Sequence, residues 1–150
     1  MSASALRVAV VDDEPLARER IRRLLEREPD VQVVGECASG AEAVTTILSA
    51  APDAVFLDVQ MPGMTGFDVV RELGRHFEQR GAAAAPLPLV VFVTAHNDYA
   101  MQAFEVHAID YVPKPLEAQR LAGAIERLRA RRSQADAARR LSELNRLLQH

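Results

Sequence analysis

The sequence predicts an α/β protein, a doubly wound five-stranded parallel sheet followed by an extended C-terminal helix. Three observations carry that expectation. Short apolar, β-branched runs alternate with segments of helical periodicity, the pattern of a parallel sheet covered on both faces through right-handed crossovers. The run Ala54-Val55-Phe56-Leu57 leads straight into Asp58 and is closed by Met61-Pro62-Gly63, as a strand buried on both faces would be. From Leu116 onward the pattern is helical to the end of the chain.

Leu6 to Val11 reads as the first strand because it is nearly all apolar and β-branched. It ends in Asp12-Asp13-Glu14, and Pro15 suits the first turn of a helix. That helix is expected to run to about Glu28, with Ala17, Ile21, Leu24 and Leu25 facing inward and arginines outward. Val31 to Ala38 is a second strand, more polar than the others and so assigned to an edge. Ser39-Gly40 opens a second helix with Ala43, Val44, Ile47 and Leu48 inward, and Pro52-Asp53 closes it. After the Asp58 strand, Thr65-Gly66-Phe67-Asp68 matches the [ST]-x-x-[DE] capping pattern and opens a third helix. Gln79 to Pro88 reads as a loose connection. Leu89 to Val93 is the fourth strand, Asn97 to Val106 a fourth helix, and Ile109 to Val112 a short fifth strand.

With 150 residues, 49% hydrophobic and 26% charged, the chain has the makings of one ordinary globular domain. A net charge of −3 argues against a surface built wholly for nucleic acid. The lone Cys37 cannot form an internal disulfide and is expected as a small core residue in a reducing compartment. The N-terminus lacks the basic flank and apolar core of a signal peptide. Pro86 and Pro88 break the longest apolar stretch well short of the ~20 residues of a membrane helix. The expectation is a soluble, cytoplasmic protein with no membrane contact.

Polar residues stand at the ends of four strands: Asp12 and Asp13, Asp58, Thr94, and Lys114. Singly each has a plain explanation, a helix cap for an aspartate or Thr94 and a solvated surface for Lys114. Together they would converge on the carboxyl edge of the sheet, where open α/β sheets hold their ligands. Phosphoryl transfer to a carboxylate wants this set. Crowded carboxylates repel unless a cation compensates, and hard oxygen donors suit Mg²⁺. One carboxylate can then act as the nucleophile, with an ammonium and a hydroxyl for the remaining phosphoryl oxygens.

Val10-Val11-Asp12-Asp13-Glu14, Leu57-Asp58-Val59-Gln60-Met61-Pro62-Gly63, Val93-Thr94-Ala95 and Tyr111-Val112-Pro113-Lys114-Pro115 resemble the signature of bacterial response-regulator receiver domains. The match covers about residues 6 to 130. It implies a flavodoxin-like sheet of strand order 2-1-3-4-5 and a phosphoacceptor at Asp58, charged by a sensor histidine kinase. It implies Mg²⁺ held by Asp12, Asp13, Asp58 and the main-chain carbonyl of Gln60. Lys114 would contact the phosphoryl group, often beside a cis Lys-Pro bond, and Thr94 with Tyr111 would form the switch pair. Such a domain assists its own phosphorylation and dephosphorylation and is not otherwise an enzyme.

Thr94 to Val106 and Ala108 to Tyr111 are similar to receivers of LytTR-type transcription regulators, which carry a C-terminal DNA-binding domain. The chain ends at His150, so contact with DNA is expected only through a domain not present here. The receiver is expected over residues 1–132 and a helical linker or extension over 133–150. Receivers of this kind often dimerise through the face of the fourth helix, fifth strand and C-terminal helix; here it would carry Tyr99, Phe104, Asp110, Glu117, Arg120 and Arg127. Leu121, Ile125 and Leu128 follow 4,3 spacing, which Ala137, Leu141, Leu144 and Leu148 resume in a shifted phase. Both a helical dimer extension and an amphipathic helix with a partly frayed linker fit that pattern. The basic run Arg127 to Arg132 is read as a solvated helix face.

His76, His96, His107 and His150 lack metal-ligand spacing, though His96 and Gln60 match receiver positions that tune the lifetime of the phosphoryl group. A haloacid-dehalogenase-type phosphohydrolase would want an aspartate two positions after Asp58, where this chain has Gln60. A flavin-binding module would want a Ser/Thr/Gly-rich loop where Asp12-Asp13-Glu14-Pro15 stands.

Overall fold

The structure, a computed structural model, describes residues 5–80, 87–95 and 106–149. In chain order the elements are β1 (Leu6–Val11), α1 (Pro15–Glu26), β2 (Val31–Cys37), α2 (Gly40–Ala50), β3 (Ala54–Leu57), α3 (Gly66–Arg80), β4 (Leu89–Thr94), β5 (Asp110–Pro113) and α4 (Ala118–Leu148). The five strands pair in parallel in the order β2-β1-β3-β4-β5. The expected doubly wound sheet is therefore present, with the more exposed β2 on its edge.

Strand alternation divides the core into two layers. Val8, Val10, Phe56, Val91, Val93 and Val112 face one way, onto Ile21 and Leu25 of α1 and Leu121, Ile125 and Leu128 of α4. Ala9, Val11, Val55, Leu57 and Phe92 face the other way, onto Ala43 and Ile47 of α2 and Phe67, Val69 and Leu73 of α3. The rings of Phe67 and Phe92 tilt together at 4.9 Å between centroids, tying the start of α3 to β4. Cys37 is free and buried, as expected.

The capping pattern at Thr65 closes as the sequence implies. Asp68 N–H donates to Thr65 Oγ1 at 3.1 Å, and Thr65 N–H donates to Asp68 Oδ2 at 3.0 Å. Elsewhere boundaries move. α3 continues through Gln79 to Arg80, into the stretch expected as loose connection. β5 sits one residue later than expected, and α4 starts at Ala118 with Leu116 buried before it. The expected fourth helix, with Tyr99 and Phe104, and the residue His96 lie outside the described residues; Val106, its last expected residue, is in a turn.

After the shift in apolar phase near Arg132, α4 continues without a break to Leu148 and exposes Leu141, Leu144, Leu147 and Leu148. Ion pairs fix the point where it leaves the domain. Arg129 reaches Glu28 at 2.8 Å and Asp30 at 2.6 Å, and Arg132 donates to the Ala5 carbonyl at 2.9 Å. Among the described residues, no helix is long and apolar enough to cross a membrane.

Candidate functional site

Sheet register gathers the strand ends. Val11 lies opposite Leu57, and Asp58 N–H donates to the Val11 carbonyl at 2.9 Å, so Asp12 and Asp58 leave neighbouring strands side by side. On the other side, Lys114 N–H donates to the Thr94 carbonyl at 2.8 Å, carrying the lysine in from the end of β5. The bond between Lys114 and Pro115 is cis.

Asp58 is buried, with 4% of its surface exposed, and Asp12 and Thr94 are fully buried. Asp13, Glu14, Asp58, Gln60, Ala95 and Lys114 line a mouth of about 160 Å³ above them. Tyr111 is half-buried and packs against the core layer that contains Phe92. The expected residues are thus brought to one edge, with Asp13 and Gln60 at the rim of the mouth.

The loop after Asp58 is shaped by two glycines. Gly63 has φ +84°, a left-handed conformation suited to a residue without Cβ. A Cβ on Gly66 would stand 2.5 Å from the Asp58 carbonyl oxygen, so only glycine lets α3 begin this close to Asp58. Gly66 N–H donates to the Val59 carbonyl at 2.8 Å, and Gln60 N–H donates to Asp58 Oδ1 at 3.3 Å.

Lys114 Nζ lies 2.8 Å from Asp12 Oδ2, 3.0 Å from Glu14 Oε1 and 3.4 Å from Asp58 Oδ2. Burial pushes the Asp58 carboxyl up, and the neighbouring Asp12 carboxylate pushes it further. Lys114 and the Gln60 N–H pull it back, leaving it at about 6. Burial works against the Lys114 ammonium, but Asp12, Glu14 and Asp58 outweigh it and hold its pKa above the ordinary lysine range.

The residues present fit a hard divalent cation. Asp12, Glu14 and Asp58 each offer a carboxylate oxygen, and the three lie within 4.8 Å of one another. Asp12 Oδ2 is fully buried, and among the described residues the Lys114 ammonium at 2.8 Å stands against it, while Oδ1 accepts the Glu14 N–H. Sequence reasoning missed Glu14. The acidic triplet before Pro15 was its signal, but the reach of its side chain to Lys114 spans 100 residues of sequence.

Comparison with known proteins agrees with this geometry. The family model described as "Response regulator receiver domain" matches residues 8–126. The "Transcriptional regulatory protein BtsR" of Salmonella typhi is 45% identical over 131 residues, which make up 87% of this chain and 51% of that protein. The protein of the same name from Escherichia coli K12 is 42% identical over the same shares. The chain therefore spans about half the length of these curated relatives. Among solved structures, the response regulatory domain of mrkE from Klebsiella pneumoniae superposes with a TM-score of 0.74 at 27% identity, covering 85% of this chain and 98% of that one. The receiver domain of the putative response regulator NarL from Mycobacterium tuberculosis gives 0.70 at 33% identity, over 82% and 94%.

Proposed function

The chain belongs to the response regulator receiver family, and from that premise we propose that Asp58 accepts a phosphoryl group from a sensor histidine kinase in a Mg²⁺-dependent reaction. The observation that carries this reading is the buried Asp58 carboxylate at the end of β3, with Lys114 Nζ 3.4 Å away and Asp12 beside it. An Asp58 oxygen forms a bond to phosphorus as the phosphorus–nitrogen bond of the donor phosphohistidine breaks. The electron pair stays on the imidazole nitrogen, which takes up a proton. Asp12, Asp13, Asp58 and the main-chain carbonyl of Gln60 would hold the cation, with Glu14 within reach. Mg²⁺ bound there supplies neutralising charge for the carboxylates and the incoming phosphoryl oxygens. Lys114 supplies an ammonium to one phosphoryl oxygen and Thr94 a hydroxyl to another.

Thr94 and Tyr111 form the switch pair in this reading, coupling phosphate at Asp58 to the face of β5 and α4 and the segment before them. That face dimerises on phosphorylation, and residues 133–150 form the linker or extension that carries the signal onward, with the second part of α4 as a further contact between copies. The half-length match to transcriptional regulators supports a role in transcription, with DNA contacted by a domain beyond this chain, of LytTR type by the sequence likeness. The site of action is the cytoplasm.

Incubation with a small-molecule phosphodonor and Mg²⁺ should add one phosphoryl group by intact mass, and Asp58→Asn should abolish it. Undiminished labelling of that variant rejects the assignment. Sizing before and after labelling tests dimerisation, and a monomer in both samples rejects that part.

A further inference from the structure

We propose that Glu14 is a positioning residue that seats the Lys114 ammonium at the rim of the carboxylate cluster, so that a divalent cation can take Asp12 and Asp58 without expelling the lysine. The proposal rests on the reading of Asp12 and Asp58 as cation ligands beside the phosphoacceptor.

The three carboxylate partners of Lys114 differ in exposure. The side chains of Asp12 and Asp58 are 0% and 5% exposed, and that of Glu14 is 66% exposed. A cation entering the cluster meets the ammonium already 2.8 Å from Asp12. Two positive charges cannot share that buried carboxylate without strong repulsion, so the ammonium has to give way. Its own stem offers no substitute counter-charge. The groove alongside it is walled by Leu16, Ala17, Ile21, Val93, Pro115 and Leu116 and by the Arg20 guanidinium, itself a cation.

The open direction is outward, and Glu14 stands there with Oε1 at 3.0 Å from Nζ. Its backbone is fixed. Glu14 N–H donates to Asp12 Oδ1 at 3.0 Å, and Pro15 follows as the first residue of α1. Its side chain is free to follow the ammonium toward solvent. Glu14 thus keeps a counter-charge on Lys114 after Asp12 has been surrendered, and holds the lysine within reach of Asp58 for the phosphoryl group.

A double-mutant cycle on the full chain tests this, with Mg²⁺ affinity by calorimetry as the readout. Glu14→Gln should weaken Mg²⁺ binding by about fivefold or more when Lys114 is present, and by less than about twofold in a Lys114→Gln background. Glu14→Asp, which keeps the charge on a shorter arm, should recover part of the loss. The Lys114 side-chain nitrogen resonance should also shift on Glu14→Gln at saturating Mg²⁺, a readout that does not depend on the Lys114 variant folding. Equal losses in both backgrounds would mean that Glu14 acts on the cation itself and would overturn its role toward Lys114 alone. No loss, or an unmoved resonance, would overturn it as well. A native chain that binds no Mg²⁺ would defeat the underlying cation reading and this proposal with it.

Discussion

Lys114 Nζ sits 3.4 Å from Asp58 Oδ2, joining the ends of β5 and β3 across 56 residues of sequence. The contact is long for an ion pair, because the same ammonium is nearer to Asp12 and Glu14. Asp58 is therefore only partly compensated, and its carboxyl remains raised to about 6 by burial and by Asp12.

That raised value sets a pH-dependent stability. The folded pKa of Asp58 lies above the unfolded value of 3.8, so its favourable contribution is full below 3.8 and is lost as pH rises through about 6. Asp58→Asn should therefore be more stable than the native chain near neutral pH without metal, by up to about 3 kcal/mol. The gap should close near pH 4. Urea unfolding at the two pH values measures it, and a gap that does not change with pH would assign the effect to something other than the carboxyl.

Metal binding should depend on the buried aspartate more than on the rim. Asp12→Asn removes a fully buried charge beside the Lys114 ammonium. A unit charge a few ångströms from a dication is worth about 2 kcal/mol even in water, so Mg²⁺ affinity should fall by at least about tenfold. Asp13→Ala, at the mouth, should weaken binding less and leave it measurable. Calorimetry separates the two, and unchanged affinity in Asp12→Asn would remove it from the cation site.

Much of this arrangement was legible in the sequence. Alternating β-branched runs and helical periods fix the order of the elements, and polar residues at strand ends such as Asp58 and Thr94 mark the carboxyl edge. What was not legible depends on distance. Glu14 meets Lys114, and Arg129 meets Glu28 and Asp30, only because the chain has folded, and no local pattern encodes such a pair. The end of α3 was also misjudged, because Gln79 and Arg80 are good helix formers without an apolar period. The run of α4 past Arg132 was expected, since the pattern reads as helical from Leu116 onward.

Two glycines of α3 should respond in opposite directions to the same substitution. Gly66→Ala would place a methyl 2.5 Å from the Asp58 carbonyl oxygen, so the helix start or the phosphoacceptor loop must shift. The expected cost is about 1–3 kcal/mol, with slower labelling of Asp58. Gly74→Ala meets nothing within 4 Å inside the same helix, and should stabilise by about 0.5–1 kcal/mol with labelling unchanged. Thermal unfolding and intact mass on both variants decide it. Equal effects would show that close approach to Asp58 is not the constraint at Gly66.

The ion pair at Asp110 should lose its value in acid. Arg120 grips both oxygens, Nη1 at 2.7 Å from Oδ2 and Nη2 at 2.6 Å from Oδ1, and Nη2 also donates to the Tyr111 carbonyl at 3.0 Å. Burial pushes the Asp110 carboxyl up, but the Arg120 hydrogen bonds, the Tyr111 N–H and the charge of Arg127 together hold it below its ordinary value. A lowered folded pKa means stability that is present above the unfolded value of 3.8 and is lost as pH falls through the folded one. Arg120→Met keeps the apolar stem and removes the charge, leaving Asp110, with 10% of its side chain exposed, held among the described residues by Arg127 and the Tyr111 N–H. The expected loss is about 1–3 kcal/mol near neutral pH, shrinking toward zero once Asp110 is protonated in both states. Urea unfolding of the native chain and the variant at about pH 7 and about pH 3 reads the difference. A deficit of the same size in acid would place the contribution of Arg120 in the packing of its stem and not in the pair with Asp110.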